Sequence, residues 1–229
     1  MRTITVHRLG RRRYGAVHDL QKRLVEARSR GEIGDVLLCV EHEPVITLGR
    51  GGNRANLRRS EAELRSLGVE VEPVGRGGDV TYHGPGQLVM YPILDLKPDR
   101  KDVRKYVASL EETMIRTATD YGLIAGRISG LNGAWIEDRK VGAVGVRISR
   151  WVTMHGLALN VSTPLVQFDL IVPCGISDKG VTSLEAELGR PVSFDEVTEA
   201  AVRHFAALHE SRATWRDGAP ALEEVRAST

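Results

Sequence analysis

The sequence predicts an α+β fold, α/β in looser usage, built on a mixed and largely antiparallel sheet flanked by helices. Two observations carry this. Apolar segments of strand length outnumber amphipathic segments of helical length, and several consecutive strands are separated only by turn-sized intervals, as hairpins require. A third observation sets solenoids and propellers aside: no stretch of about 20 to 50 residues repeats.

Tyr14, Val17, Leu20, Leu24 and Ala27 recur at helical spacing and stop at Gly31, predicting an amphipathic helix over residues 14 to 30. The continuous apolar run VLLCV at 36 to 40 reads as a buried strand, and VITL at 45 to 48 as another. Ser60 with Glu63 makes a capping box that opens a short helix, closed by Gly68. Val69 and Val71 alternate with glutamates, as in a half-buried strand. A glycine-rich loop at 75 to 78 follows, then strands through Thr81 and from Leu88 to Leu96. The longest helix carries Val103, Tyr106, Val107, Leu110, Met114 and Ala118 on one face, with Gly122 past its end. Trp135 to Glu137, a turn at Asp138 and Arg139, and Val141 to Ile148 form a hairpin, with a further strand from Val152 to Val161. Ser193 and Glu196 make a second capping box, opening a helix along Phe194, Val197, Ala201, Phe205 and Leu208. Residues 1 to 210 are expected to be a single domain, and 211 to 229 a disordered C-terminal tail.

With 229 residues, 41% of them apolar, the chain is long enough to bury a real core. Its 32 basic and 30 acidic residues leave a formal charge of +2, so no nucleic acid is expected as partner. Local basic clusters stand at Arg11, Arg12 and Arg13, at Arg54, Arg58 and Arg59, and at Lys97, Arg100, Lys101, Arg104 and Lys105. These read as solvated faces or as parts of one basic surface. The first residues lack the apolar run of a signal peptide, and no eighteen apolar residues are consecutive, so a cytoplasmic protein with no membrane contact is expected. Two cysteines, 135 positions apart, make no disulfide framework.

Context separates those two thiols. Cys39 lies in an apolar run and reads as a small core residue. Cys174 lies in VPCGISD, where proline favours extended backbone and glycine lets another group approach, so it reads as a presented thiol. A nucleophilic cysteine needs a neighbour that favours its thiolate, and the candidates are Lys140, His83 and His155. Lys140 precedes a Gly/Ala-rich strand whose small residues leave room beside it; it reads either as a partly desolvated base or as a solvated turn lysine. His83 stands in RGGDVTYHGPGQ, whose glycines bare backbone amides for a ligand, and His155 stands in MHGLALN; either histidine could also be structural. Neither phosphate-binding pattern, GxxxxGK[ST] or GxGxxG, is present.

Together, RGGDVTYHGPGQ at 76 to 87, KVGAVG at 140 to 145, HGLALN at 155 to 160 and PCG at 173 to 175 closely resemble the lipoyl(octanoyl) transferases, the lipoate-protein ligase B family. The likeness runs from EHEPVITLGR at 41 to 50 to VTSLEAELGR at 181 to 190. It implies the fold of biotin and lipoate protein ligases. It also implies transfer of an octanoyl group from octanoyl-acyl carrier protein to a lysine of the lipoyl domains of 2-oxoacid dehydrogenase E2 subunits and glycine-cleavage H protein, the first step of de novo protein lipoylation. By the same resemblance Cys174 carries the acyl thioester and Lys140 lowers its pKa and shuttles protons. The segments implied to line the acyl pocket are Arg76, Gly77, Gly78, Asp79, Val80, Thr81, Tyr82 and His83, then Ala143, Val144 and Gly145, then His155, Gly156, Leu157 and Ala158. No ATP and no metal is implied, and a monomer is expected. Asp79 falls at a position that varies in the family, and Gly142 stands where alanine is common; neither removes a functional group. The rival readings are an ATP-dependent lipoate or biotin ligase of the same fold, a Cys-His thiol hydrolase, and a non-enzymatic binding module.

Overall fold

In the computed structural model, which describes residues 2–97, 100–172 and 179–220, the chain opens with a strand, β1 (Arg2–Arg12). Its Ile4 and Val6 alternate with polar residues and face the main core. Helix α1 (Tyr14–Ser29) follows and buries Tyr14, Val17, Leu20, Gln21, Leu24 and Ala27, the face that its 3.6-residue spacing predicts.

Strand β2 (Asp35–His42) is buried almost throughout. Val36, Leu38 and Val40 pack towards α1, while Leu37 and Cys39 face the opposite core. A strand covered on both faces reads as a continuous apolar run, which accounts for VLLCV. Cys39 is 2% exposed and burial pushes its thiol up to about 12, as befits a packing residue.

Next come β3 (Val45–Leu48), α2 (Glu61–Ser66), β4 (Glu70–Pro73) and β5 (Val80–His83). The capping box of α2 is complete: Ser60 accepts from Glu63 N–H, and the Glu63 carboxylate accepts from Ser60 N–H. Strands β4, β3 and β5 form a small sheet in that order, with its own core of Ile46, Leu48, Leu64, Val80 and Tyr82.

Strand β6 (Gln87–Ile93) returns the chain to the large sheet. It leads to α3 (Val103–Asp120), the hairpin strands β7 (Gly126–Ile128), β8 (Leu131–Ile136), β9 (Arg139–Ser149) and β10 (Val152–Asn160), then β11 (Gly180–Val181), α4 (Leu184–Leu188), α5 (Phe194–Leu208) and β12 (Ser211–Asp217). Ser193 caps α5 by accepting Glu196 N–H.

The described residues form a nine-stranded sheet of order β12-β1-β2-β6-β10-β9-β8-β7, with β11 beside β9. Pairing is antiparallel from β2 across to β7 and parallel at β12-β1, β1-β2 and β11-β9, so the expected mixed, largely antiparallel sheet is what forms. Helix α1 covers one face; α3 and α5 cover the other.

Four strands escape the sequence pattern: the short β7 and β11, and β1 and β12. Strand β1 has too few apolar residues to announce itself, and residues 211 to 217, expected as disordered tail, are strand β12, paired in parallel with β1 from Ser211↔Arg2 to Asp217↔Arg8. What orders that segment is tertiary: Ala213 and Trp215 pack on the main core, and the Arg8 guanidinium lies 5.0 Å over the Trp215 ring.

Phe205 of α5 is fully buried in the main core. Phe205→Ala is expected to lower the free energy of unfolding by about 3 to 5 kcal/mol, read as a shift of the urea midpoint at unchanged slope.

Candidate active site

A cavity of about 430 Å³ opens between the large sheet, α1 and the small sheet, within the roughly 300 to 1,000 Å³ of small-ligand sites. Its floor follows from strand register. Val144 and Val146 of β9 pack on the α3 side, so alternation turns Ala143 and Gly145 to the other face. There Ala143 pairs with Ala158 and Gly145 with Gly156 of β10, and Ala158 pairs with Val89 of β6. Four residues of the smallest kinds side by side leave a trough in a sheet that is elsewhere filled.

The walls come from other elements: Tyr14 of α1, Thr81 and His83 of β5, and the 76 to 78 loop. Gly145 must be glycine for that loop to lie where it does, because a Cβ there would come within 2.9 Å of Arg76 Cδ and 3.2 Å of Gly77 O. Arg76 is 7% exposed and donates to the Thr47 carbonyl (2.8 Å), Thr47 Oγ1 (2.9 Å) and Gly77 O (3.0 Å), which ties the loop to β3, while Gly77 N–H donates to Val146 O at 2.9 Å and holds it against β9.

Six rings gather along α1, β2, β5, β6 and β10. Tyr14, His42 and His83 lie 5.2 to 6.3 Å apart, Tyr91 is 5.8 Å from His42 and 6.3 Å from His155, and His18 is 5.6 Å from His155. Their hydrogen bonds fix roles. His83 Nδ1–H donates to Gln87 Oε1 at 2.7 Å, Gln87 Nε2 donates to Asn160 Oδ1, and Asn160 Nδ2 donates to Thr182 O. His42 bonds the Arg12 carbonyl through Nδ1 and the Tyr91 hydroxyl through Nε2. Burial pushes His42 down to about 4 and His83 and His155 down to about 3, with neighbouring cations adding to the shift of the latter two, so these imidazoles are neutral at pH 7. A neutral aromatic lining suits an apolar guest.

His155 has φ +60°, and its N–H donates to Gln21 Oε1 at 2.9 Å rather than to a strand. The left-handed kink interrupts the ladder with β6, which runs from Leu157↔Met90 to Asn160↔Gln87 and resumes beyond the kink at Val152↔Asp95.

Lys140 and the segments 76 to 78, 80 to 81, 83, 143 to 145 and 155 to 158 thus line one cavity. Asp79 and Tyr82 do not. Tyr82 is 1% exposed and packs edge-on against Phe168 in the small core. The Asp79 carboxylate accepts from Asn53 N–H and Asn56 Nδ2, holding the loop after β3. Gln87, Tyr91 and Asn160 line the cavity without having been singled out, although Gln87 and Asn160 close two of the quoted motifs. Cys174 lies outside the described residues. The chain on either side of it is tethered: Val172 N–H donates to Asn56 O, Gly180 and Val181 pair with Arg139 and Lys140, and Thr182 N–H donates to Lys140 O. The Lys140 Nζ stands 4.6 Å from the centre of the Trp135 ring.

Of the basic clusters, the first is partly neutralised: Arg11 pairs with Glu41, and Arg13 with Glu43 and Glu70. Arg54, Arg58 and Arg59 are exposed on the loop that Asp79 anchors, Arg54 pairing with Glu61. No helix among the described residues is long and apolar enough to cross a membrane.

The architecture is that of lipoate and biotin protein ligases. A putative lipoate protein ligase from Thermoplasma acidophilum with bound lipoic acid superposes with a TM-score of 0.75 at 16% identity, covering 100% of this chain and 94% of that one. Biotin protein ligase from Aquifex aeolicus reaches 0.52 at 14% identity, over 91% and 69%. Within that class the chain belongs to the lipoyl protein ligase A/B catalytic domain family, matched over residues 13–206, and is an acyltransferase. It is similar to an octanoyltransferase of Solibacter usitatus (50% identical over 210 residues, 92% of this chain and 94% of that protein) and to one of Myxococcus xanthus (47% over 231 residues). The chain spans 64% of the length of the Myxococcus protein.

Proposed function

We propose that the protein transfers an octanoyl group from octanoyl-acyl carrier protein to a lysine of lipoyl domains, through a thioester on Cys174 with Lys140 as proton relay, and without ATP or metal. The acceptors are the lipoyl domains of 2-oxoacid dehydrogenase E2 subunits and of glycine-cleavage H protein. One observation carries the reading above the others: an apolar trough floored by Ala143, Gly145, Gly156 and Ala158 runs to a lysine at its edge, in a chain whose relatives are octanoyltransferases. Pairing of Val181 with Lys140 also brings the chain that follows Cys174 back to that lysine.

The Cys174 thiolate attacks the donor's carbonyl carbon, forming one C–S bond and breaking another. The departing carrier thiolate takes a proton from the Lys140 ammonium. The acceptor lysine gives up one proton of its ammonium to solvent and, as the amine attacks the Cys174 thioester, a second to the now neutral Lys140, so that the amide forms and Cys174 leaves as thiolate. Exchange between thioesters is nearly balanced and thioester to amide runs downhill, so no nucleotide is consumed. Burying the seven carbons beyond the carbonyl contributes at most about 5 to 6 kcal/mol at about 0.8 kcal/mol per methylene, and a dry slot protects the thioester from water.

Intact-mass analysis after mixing the protein with octanoyl-acyl carrier protein, ATP absent, is expected to show a gain of one octanoyl group. That mass should disappear on adding lipoyl domain and never form in Cys174→Ala. Transfer that requires ATP and survives Cys174→Ser would replace this reading with a ligase.

A further inference from the structure

The hairpin that presents Lys140 is built irregularly. In β8 and β9, Ile136 pairs with Arg139 and Trp135 with Lys140, but Ala134 pairs with Gly142, so Val141 is an extra residue on β9. A bulge at this place re-aims the side chains beside it. The approach is close enough to exclude any side chain at Gly133, where a Cβ would lie 2.4 Å from Gly142 O. The same built Cβ would be 3.5 Å from Lys140 Cε. The aliphatic stem of Lys140 therefore passes over Gly133, and its Nζ ends 4.6 Å from the Trp135 centroid.

The ring is itself held. Trp135 is 2% exposed, and its Nε1–H donates to Leu131 O at 3.3 Å. Gly133 N–H is taken by the buried Glu111 carboxylate at 2.8 Å, which Arg127 pairs from its other oxygen. Leu131, Gly133 and Trp135 alternate onto one side of β8, and Leu131 also lines the cavity.

We propose that Trp135 is a positioning residue for the proton relay: its indole face holds the Lys140 ammonium at the edge of the acyl slot until the departing thiol takes the proton. The proposal rests on the proposed relay role of Lys140. An ammonium over an indole is attracted by the ring quadrupole, and the neutral amine is not. The ring thus favours the charged amine while the donor binds, and its hold ends as the N–H bond breaks and the S–H bond forms. The neutral amine is then free to swing towards the acceptor lysine and collect its proton.

The test is the pH profile of thiol release from a small probe, octanoyl-pantetheine, with lipoyl domain present as acceptor, for wild type, Trp135→Leu, Trp135→Phe and Lys140→Ala. Loss of an attraction of about 0.5 to 1 kcal/mol corresponds to roughly 0.4 to 0.7 pH unit. The alkaline limb, which reports the Lys140 ammonium, is expected to move down by about that much in Trp135→Leu, with kcat falling more than KM rises. Trp135→Phe keeps a π face and is expected to hold the limb near its wild-type position. A limb that stays put in Trp135→Leu, or moves equally in both variants, overturns the proposal. Lys140→Ala separates the two readings: wild-type turnover in that variant removes the relay itself, whereas loss of turnover combined with an unmoved limb in Trp135→Leu removes only the role of the ring.

Discussion

Thermal stability is expected to be level between pH 7 and 8 and to fall steeply as pH drops from 6.5 towards 5. The cause is a set of buried neutral imidazoles. His42 and His209 are pushed down to about 4 and His83 and His155 to about 3, in each case chiefly by burial. A base whose folded pKa lies below its ordinary 6.5 is protonated sooner in the unfolded chain. Unfolding therefore takes up protons in that window, and stability is complete above pH 6.5 and lost as pH falls towards the folded value. Each such group tilts the stability curve by up to about 1.4 kcal/mol per pH unit. Several together rival a total stability of about 5 to 15 kcal/mol. Carboxylates do not confuse the measurement, because Glu63, Glu112 and Glu187 are held below the usual carboxylate value by their partners and contribute losses only in more acid solution. Melting followed from pH 8 to 4.5 checks this; a midpoint unchanged between pH 7 and 5 would sink it.

Those imidazoles also show how far the sequence could be read. Helices α1, α3 and α5 were legible because each shows an apolar face at helical spacing and a turn or cap residue at its ends. Strand β2 was legible because sheet faces covered by α1 and by α3 and α5 demand a continuous apolar run. Strands β1 and β12 were not, since β1 is held between β12 and β2 and β12 by β1 and by packing of Trp215, long-range pairings that leave little local pattern. At the site, glycine-rich motifs pointed to the right segments, but a motif names every residue of a run while a strand or turn aims only some of them inward. Tyr82 and Asp79 were swept in that way. Tyr14 and Tyr91 read as core or helix residues, and only the arrangement of α1 against β6 turns them towards a cavity. The bulge at Val141 is invisible in sequence, because nothing in KVGAVG marks which residue goes unpaired.

Ala143→Leu is expected to abolish most of the preference for octanoyl over butanoyl donors. Ala143 and Ala158 are paired on the trough floor, and a leucine at 143 projects its isobutyl group into the slot rather than into packed core. Excluding three to four methylenes of an octanoyl chain forfeits about 2.4 to 3.2 kcal/mol at about 0.8 per methylene, a factor of about 50 to 200 in kcat/KM. A butanoyl donor never reaches the filled region, so its kcat/KM should change by less than about threefold. The comparison across lengths discriminates where a single rate cannot. A fall shared equally by butanoyl and octanoyl thioesters would mean that leucine disturbs the proton relay or the strand pairing, and an undiminished octanoyl rate would mean that the chain lies elsewhere. Because the added carbons enter open space, the melting temperature at pH 7.5 should stay close to wild type, which ties the selective loss to the shape of the slot rather than to the stability of the sheet that forms its floor.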